Sequence, residues 1–226
     1  MNAREYLASL EFHGVKLGLE NIRHLLACAG NPQTRYPCVH VAGTNGKGSV
    51  LAMVDAMCRA AGMRTGRYTS PHIIDVRERF LIDARPVDDA ALDASLAYFR
   101  RIAEQMTPPP TYFELVTAAA FHLFQQHEVD LALIEVGLGG RFDATNVITP
   151  VAAAITNIDL EHTQYLGDTL EKIAFEKAGI LKESVPAVIG ETRPGPRDVI
   201  LARAGELGCP VRLMERDFRF EMQGHS

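Results

Sequence analysis

Apolar runs of strand length alternate along this chain with stretches of helical period. The strand-like runs fall at Cys38–Ala42, Arg67–Ser70, Leu131–Val136, Val151–Thr156 and Pro186–Ile189, and the helical spacing covers Ser49–Ala61, Asp88–Gln105, Thr111–His127 and Thr169–Ala178. That alternation predicts an α/β fold: a doubly wound, mostly parallel sheet with flanking helices. LALIEV and VAAAIT are apolar throughout, as strands covered by helices on both faces should be. Gly62 and Gly179 stand where helix C-caps belong, and Pro108-Pro109-Pro110 separates two helices. After Gly190 one helix (Asp198–Leu207) and the strand-like pieces VRLME and FRFEM are expected, and the sequence stops at Ser226 without a capping element, so the chain reads as ending inside a domain.

Composition narrows the function classes. With 226 residues, 47% of them hydrophobic, the chain can bury the core of one large domain, or of one domain and part of another. A net charge of -5 gives no basic footprint for nucleic acid or an anionic membrane, which leaves small-molecule chemistry. Cys28, Cys38, Cys58 and Cys209 show no C-x-x-C spacing and lie in or beside apolar stretches, which reads as buried free thiols in a reducing cytoplasm. No apolar run approaches the roughly 20 residues of a membrane span, and the N-terminus lacks a signal peptide's apolar core.

The strongest local chemistry lies in CVHVAGTNGKGSV, where a strand runs into Gly43-Thr44-Asn45-Gly46-Lys47-Gly48-Ser49 and a helix follows. Strand, glycine loop and helix are the context of a phosphate loop. Glycines let backbone N–H groups surround phosphate oxygens, the helix N-terminus adds partial positive charge, Lys47 reaches the β- and γ-phosphates, and Ser49 offers a hydroxyl to Mg²⁺. The match to G-x-x-x-x-G-K-[ST] is imperfect: Val41 takes the first glycine position and Gly48 separates lysine from serine.

HVAGTNGKGS resembles the phosphate loop of the folylpolyglutamate synthase and dihydrofolate synthase family, a branch of the ATP-dependent Mur ligases. Four further segments match in order: YTSPHIIDVRERFLID, TYFELVTAAAF, IEVGLGGRFDATNVI and ITNIDLEHTQYLGDTLEKIAFEKAGI. The resemblance implies a P-loop NTPase-like central domain, ATP and Mg²⁺ as cofactors, and folate or pteroate with L-glutamate as substrates. Members of that family also carry a C-terminal ligase domain, and this chain ends before it, so residues 1–226 are expected to be an ATP-binding domain incomplete at its C-terminal end.

Each remaining motif has a structural reading beside the functional one. Glu135 ends a buried strand, where a carboxylate is costly unless paired or metal-bound; the plain alternative is a solvated strand-end Glu. Gly137-Leu-Gly139-Gly140-Arg141-Phe-Asp143-Ala144 would let a loop pass close to ligand, and Arg141, Asp143 and Ala144 are expected at the substrate. His162 is either a metal ligand beside the phosphates or a surface-loop histidine; the family shows LDHT where this chain has Leu160-Glu161-His162-Thr163. Lys177 suits a helix C-terminus, and in the resembling family this lysine is carbamylated and helps to position magnesium. Thr111 and Glu114 form a capping-box pattern, while the resemblance puts Phe113 and Glu114 at a pterin pocket. Ser70-Pro71-His72 and the Arg77-Glu78-Arg79 run resemble a loop closing over the same substrate, although R-E-R alone reads as a solvated face. Leu17-Gly18-Leu19-Glu20 is a weaker match to a further substrate contact.

Taken together, the catalytic set expected is Lys47, His162 and Lys177, and the metal set is Ser49, Glu135, His162 and Lys177. The reaction implied is amide formation between a folate-type carboxylate and L-glutamate through an acyl phosphate. Two alternatives stand: a Mur-type cell-wall ligase, disfavoured by Gly48 and by the SPH and TYFE segments, and a nucleotide-binding fragment inactive without a C-terminal domain. Neither the choice between the two folate reactions nor the oligomeric state is legible.

Overall fold

The computed structural model describes residues 2–10 and 18–220; Leu17 of the N-terminal match and Glu221 and Met222 of FRFEM lie outside the described residues. In chain order the elements are α1 (Ala3–Ser9), α2 (Glu20–Cys28), β1 (Cys38–Ala42), α3 (Lys47–Ala60), β2 (Thr65–Tyr68), β3 (Phe80–Ile82), β4 (Arg85–Pro86), α4 (Asp89–Ala103), α5 (Tyr112–Gln126), β5 (Leu131–Glu135), β6 (Ala152–Ile155), α6 (Thr163–Leu166), α7 (Leu170–Ala178), β7 (Ala187–Ile189), α8 (Pro194–Glu206) and β8 (Val211–Leu213). They build one sheet in the order β4-β3-β2-β5-β1-β6-β7-β8. Six of the strands run parallel, and β3 and β4 continue the sheet antiparallel at the β2 edge.

The alternation of side chains on β5 explains why helices cover both faces. Ala132 and Ile134 join Phe99, Phe121 and Phe124 of α4 and α5 in one core, whereas Leu131 and Leu133 join Val41 of β1 and Leu51 of α3 on the other face. A third core sets Ile155 and Ile189 of β6 and β7 against Ile173 of α7 and Ile200 of α8. Each such large apolar side chain contributes about 1.5–3 kcal/mol on full burial.

Local signals set most element ends. Thr111 and Glu114 cap α5 reciprocally, through Glu114 N–H to Thr111 Oγ1 at 3.2 Å and Thr111 N–H to Glu114 Oε2 at 2.8 Å. Gly62 closes α3 at φ +83 in a Schellman arrangement, with Met63 N–H donating to the Cys58 carbonyl at 3.1 Å. Gly179 is different: its φ is an ordinary −62°, and a side chain there would collide with the backbone of Arg141. Its smallness serves close approach of two segments and not a left-handed cap.

Three expectations need correction. β2 begins and ends two residues before the predicted run, because Tyr68 is the last residue laddered to β5, opposite Ile134. The β3–β4 pair was not foreseen, since strands of three and two residues carry no readable period. Cys28 is exposed; Cys38 is buried, with its thiol pushed up to about 12 by desolvation; Cys58 and Cys209 are half-buried, and all four are free. Among the described residues no helix is long and apolar enough to cross a membrane.

Candidate active site

The four adjacent strands β2, β5, β1 and β6 deliver their C-terminal ends to one edge of the sheet, and four of the five segments singled out in the sequence follow one of them each, while the TYFE segment starts α5. This is where ligands collect in doubly wound sheets.

After β1 the chain turns at Gly43, at φ +141, where a side chain would overlap Thr156. Gly46, at φ +81, starts α3 without any side-chain cap, so no N-cap side chain accepts from the first-turn N–H groups of that helix. The loop is held from the segment after β6: Thr44 N–H donates to the Asn157 carbonyl at 2.9 Å, Asn45 N–H to Asn157 Oδ1 at 2.8 Å, and Thr156 Oγ1 to the Asn45 carbonyl at 2.7 Å. Lys47 folds back on its own loop, donating to the Gly43 and Thr44 carbonyls at 2.8 and 3.0 Å. Val41, which occupies the first glycine position of a strict motif, is a fully buried strand residue.

Glu135 is buried, and its carboxyl pKa is raised by desolvation, opposed by a hydrogen bond from Ser70 N–H to Oε2 at 3.2 Å and by the charges of Lys47, Arg67 and Arg79. A Cβ at Gly48 would stand 3.8 Å from Glu135 Oε2, so the first turn of α3 rests against this carboxyl. Lys177 is 2% exposed and donates to the Gly43 carbonyl at 3.0 Å and to Glu161 Oε1 at 2.5 Å. Burial lowers its pKa, and the pairing with Glu161 opposes that shift. His162 is exposed at φ 45, and Ser49 is exposed on α3; neither hydrogen-bonds to Glu135 among the described residues. No group of three or more His, Cys, Asp or Glu among the described residues is placed to hold a metal alone.

Beside this cluster opens a cavity of about 600 Å³. Ser70, Pro71, Phe113, Glu114, Asp143 and Ala144 of the expected substrate set line it, together with Gly18 and His162. Phe113 packs over Gly137, where any side chain would strike its ring, and its ring lies tilted on Tyr68 at 6.2 Å. Glu114 reaches the cavity while its carboxylate is occupied by the α5 cap, so the capping reading of T-x-x-E holds and the residue also stands in the cavity wall. Asp143 accepts from Gly137 N–H at 3.0 Å, Leu138 N–H at 2.8 Å, Thr145 N–H at 3.0 Å and the Thr145 hydroxyl; this carboxylate shapes the glycine loop. Desolvation raises its pKa against those hydrogen bonds.

Two expected substrate residues stand elsewhere. Arg141 is not among the residues lining the cavity: it pairs with Glu176 at 2.7 Å and stacks on Phe142 and Phe175. His72 stands behind Arg79, accepting from its Nε at Nδ1 at 2.9 Å. Arg79, in a run read by resemblance as a loop over the substrate and by charge pattern alone as a solvated face, is 7% exposed and lines the cavity. Glu161 as the partner of Lys177, and Thr156 and Asn157 as props of the glycine loop, were missed. Only the LEHT departure hinted at Glu161; the others carried no local signal.

Comparison with known proteins agrees with this geometry. The family model described as "Mur ligase middle domain" matches residues 41–195. The dihydrofolate synthase/folylpolyglutamate synthase of Haemophilus influenzae is 41% identical over 98% of this chain and 49% of its own length. Escherichia coli FolC in complex with DHPP and ADP superposes with a TM-score of 0.92 at 34% identity, covering 100% of this chain and 54% of that one. An FPGS–AMPPCP–folate complex gives 0.89 at 38% identity, over 99% and 57%. The chain spans about half the length of the curated relatives it matches. With more than half of its residues in that match and the strand tips arranged as described, this chain belongs to the Mur ligase family, in its folylpolyglutamate synthase and dihydrofolate synthase branch.

Proposed function

We propose that residues 1–226 form the ATP-binding portion of a ligase that joins a folate-type carboxylate to L-glutamate through an acyl phosphate. One juxtaposition supports the reading: Ser70 lines the cavity and hydrogen-bonds Glu135, and Glu135 abuts Gly48 at the start of α3, so a substrate in the cavity ends where a nucleotide's γ-phosphate would begin. The relatives solved with ADP, AMPPCP, DHPP or folate support both halves of it.

In this reading the backbone N–H groups of Gly46, Lys47, Gly48 and Ser49 at the start of α3 bind the triphosphate, those of Thr44 and Asn45 being spent on Asn157, and Lys47 swings from the Gly43 and Thr44 carbonyls onto it. Phe113 offers a face for a flat ring, and His162 borders the reacting end. The donor chemistry fits Mg²⁺: Glu135 is a buried carboxylate flanked by cations, Ser49 adds a hydroxyl, and phosphate oxygens would make up the hard-oxygen set that these two side chains do not supply alone. When bound, the ion would supply charge neutralisation at the γ-phosphate. Burial lowers the pKa of Lys177 against its pairing with Glu161, which favours the neutral amine that carbamylation by CO₂ consumes; the new carboxylate would displace Glu161 and add an oxygen donor.

The substrate carboxylate then attacks the γ-phosphorus in line and ADP leaves. The glutamate amine attacks the acyl carbon, and phosphate leaves with formation of the amide. The test is ATP-dependent incorporation of labelled glutamate by the intact protein into dihydropteroate or tetrahydrofolate; absence of both products rejects the ligase reading. Retained binding of Mg-ATP without incorporation would favour a nucleotide-binding fragment, for which the coverage of half the relatives' length speaks.

A further inference from the structure

β1 is an apolar strand, CVHVA, and its polar member His40 is fully buried. Nε2 of His40 lies 2.9 Å from the hydroxyl of Thr145, which is fully buried as well. That hydroxyl donates its proton to Asp143 Oδ1, as Thr145 N–H does at 3.0 Å, so toward His40 it is an acceptor. The imidazole therefore carries its proton on Nε2, and Nδ1 is a buried acceptor without a partner among the described residues. An imidazole with one nitrogen unsatisfied is a costly occupant of an apolar strand, which directs attention to what the other nitrogen holds.

What it holds ends at the cavity. Asp143 gives Oδ1 to Thr145 and Oδ2 to the N–H groups of Gly137 and Leu138, at 3.0 and 2.8 Å. Both of those residues line the cavity, and the Phe113 ring rests on Gly137 with no room for a side chain between them. His40 lies opposite Ile134 of β5, three residues before Gly137, and is not among the residues that line the cavity. Three side chains thus run from the middle of β1 to the backbone seat of the Phe113 ring.

We propose that His40 is a positioning residue for the folate-class substrate: through Thr145 it fixes the Asp143 carboxylate, and through that carboxylate the Gly137 and Leu138 backbone that seats Phe113. This rests on the function proposed above and extends it to a residue that touches no ligand.

Calorimetric titration of the intact protein with pteroate and, separately, with Mg-AMPPCP tests the assignment. His40→Leu keeps the bulk and loses the N–H; it should bind pteroate about 3- to 10-fold more weakly, the range of one neutral hydrogen bond, with Mg-AMPPCP affinity within about 2-fold of wild type. His40→Gln, whose side-chain amide offers an N–H to Thr145, should recover pteroate affinity to within about 2-fold. Thr145→Val removes the middle of the chain, and adding His40→Leu to it should cost nothing further. No recovery with Gln, or an additive double variant, overturns the proposal. Equal weakening toward both ligands with a lowered melting temperature marks a merely structural histidine and overturns it too, as does unchanged pteroate affinity in His40→Leu. If His40→Leu does not fold, the comparison passes to Thr145→Val against Thr145→Ser: a loss in Val alone upholds the chain, and equal affinities overturn it. Wild type that binds Mg-AMPPCP and not pteroate overturns the folate-class reading itself.

Discussion

Lys177 and Glu161 meet at 2.5 Å, and the same ammonium donates to the carbonyl of Gly43, 134 residues away in sequence. Lys47 donates to that carbonyl as well. One backbone oxygen of the glycine loop therefore gathers two cations, which assembles positive charge at the start of α3.

Removing one partner exposes what the pair does. Glu161→Gln leaves a buried cation without its counter-ion, and with Glu161 partly exposed the expected cost is about 1–3 kcal/mol, below the range for fully buried pairs. Lys177 has a folded-state pKa below its unfolded value, so the unfolded chain binds the extra proton and stability rises as pH climbs through the window up to about 10.5. Without Glu161 that shift deepens, and urea melts of the variant should show a steeper gain with pH than wild type. A variant with an unchanged pH slope would refute the coupling.

His40 supplies a pH dependence of the same sign in a lower window. Thr145 donates its hydroxyl to Asp143 and so accepts from His40 Nε2 at 2.9 Å, fixing a neutral imidazole whose pKa burial holds down to about 3. Between about 6.5 and about 3 the unfolded state takes up a proton that the folded state refuses, so stability should fall by up to about 1.4 kcal/mol per pH unit through that window. His40→Gln should flatten this acid limb in chemical melts at pH 7 and 4.

Lys47→Ala removes the side chain that would neutralise the transferring phosphate. ATP-dependent phosphate release should drop at least about 100-fold, the scale of losing a pre-placed electrostatic contact. Turnover within about 3-fold of wild type would dismiss the loop as the nucleotide site.

Gly43→Ala places a methyl group into Thr156 at a φ that favours glycine. About 1–3 kcal/mol of stability should be lost, together with measurable nucleotide affinity, because the Gly43 carbonyl orients both lysines. Gly137→Ala should instead leave nucleotide binding intact and displace Phe113, weakening ring binding in the cavity. Thermal melts and titration with Mg-ATP and pteroate separate the two outcomes.

The glycine loop between β1 and α3, the five main strands and the α5 cap were legible in the sequence, because each is set by contacts a few residues apart. An apolar run tells a covered strand, glycines and a lysine before a helix tell an anion site, and Thr111 with Glu114 tells a helix start. What Arg79, Glu161, Asn157 and His72 do was decided only by tertiary structure. Their partners are brought in by sheet order and register, which set the tips of β2, β5, β1 and β6 side by side. No spacing along the chain encodes that adjacency: a charge run has the same local pattern on a solvated face as in a cavity wall, and burial alone separates the two.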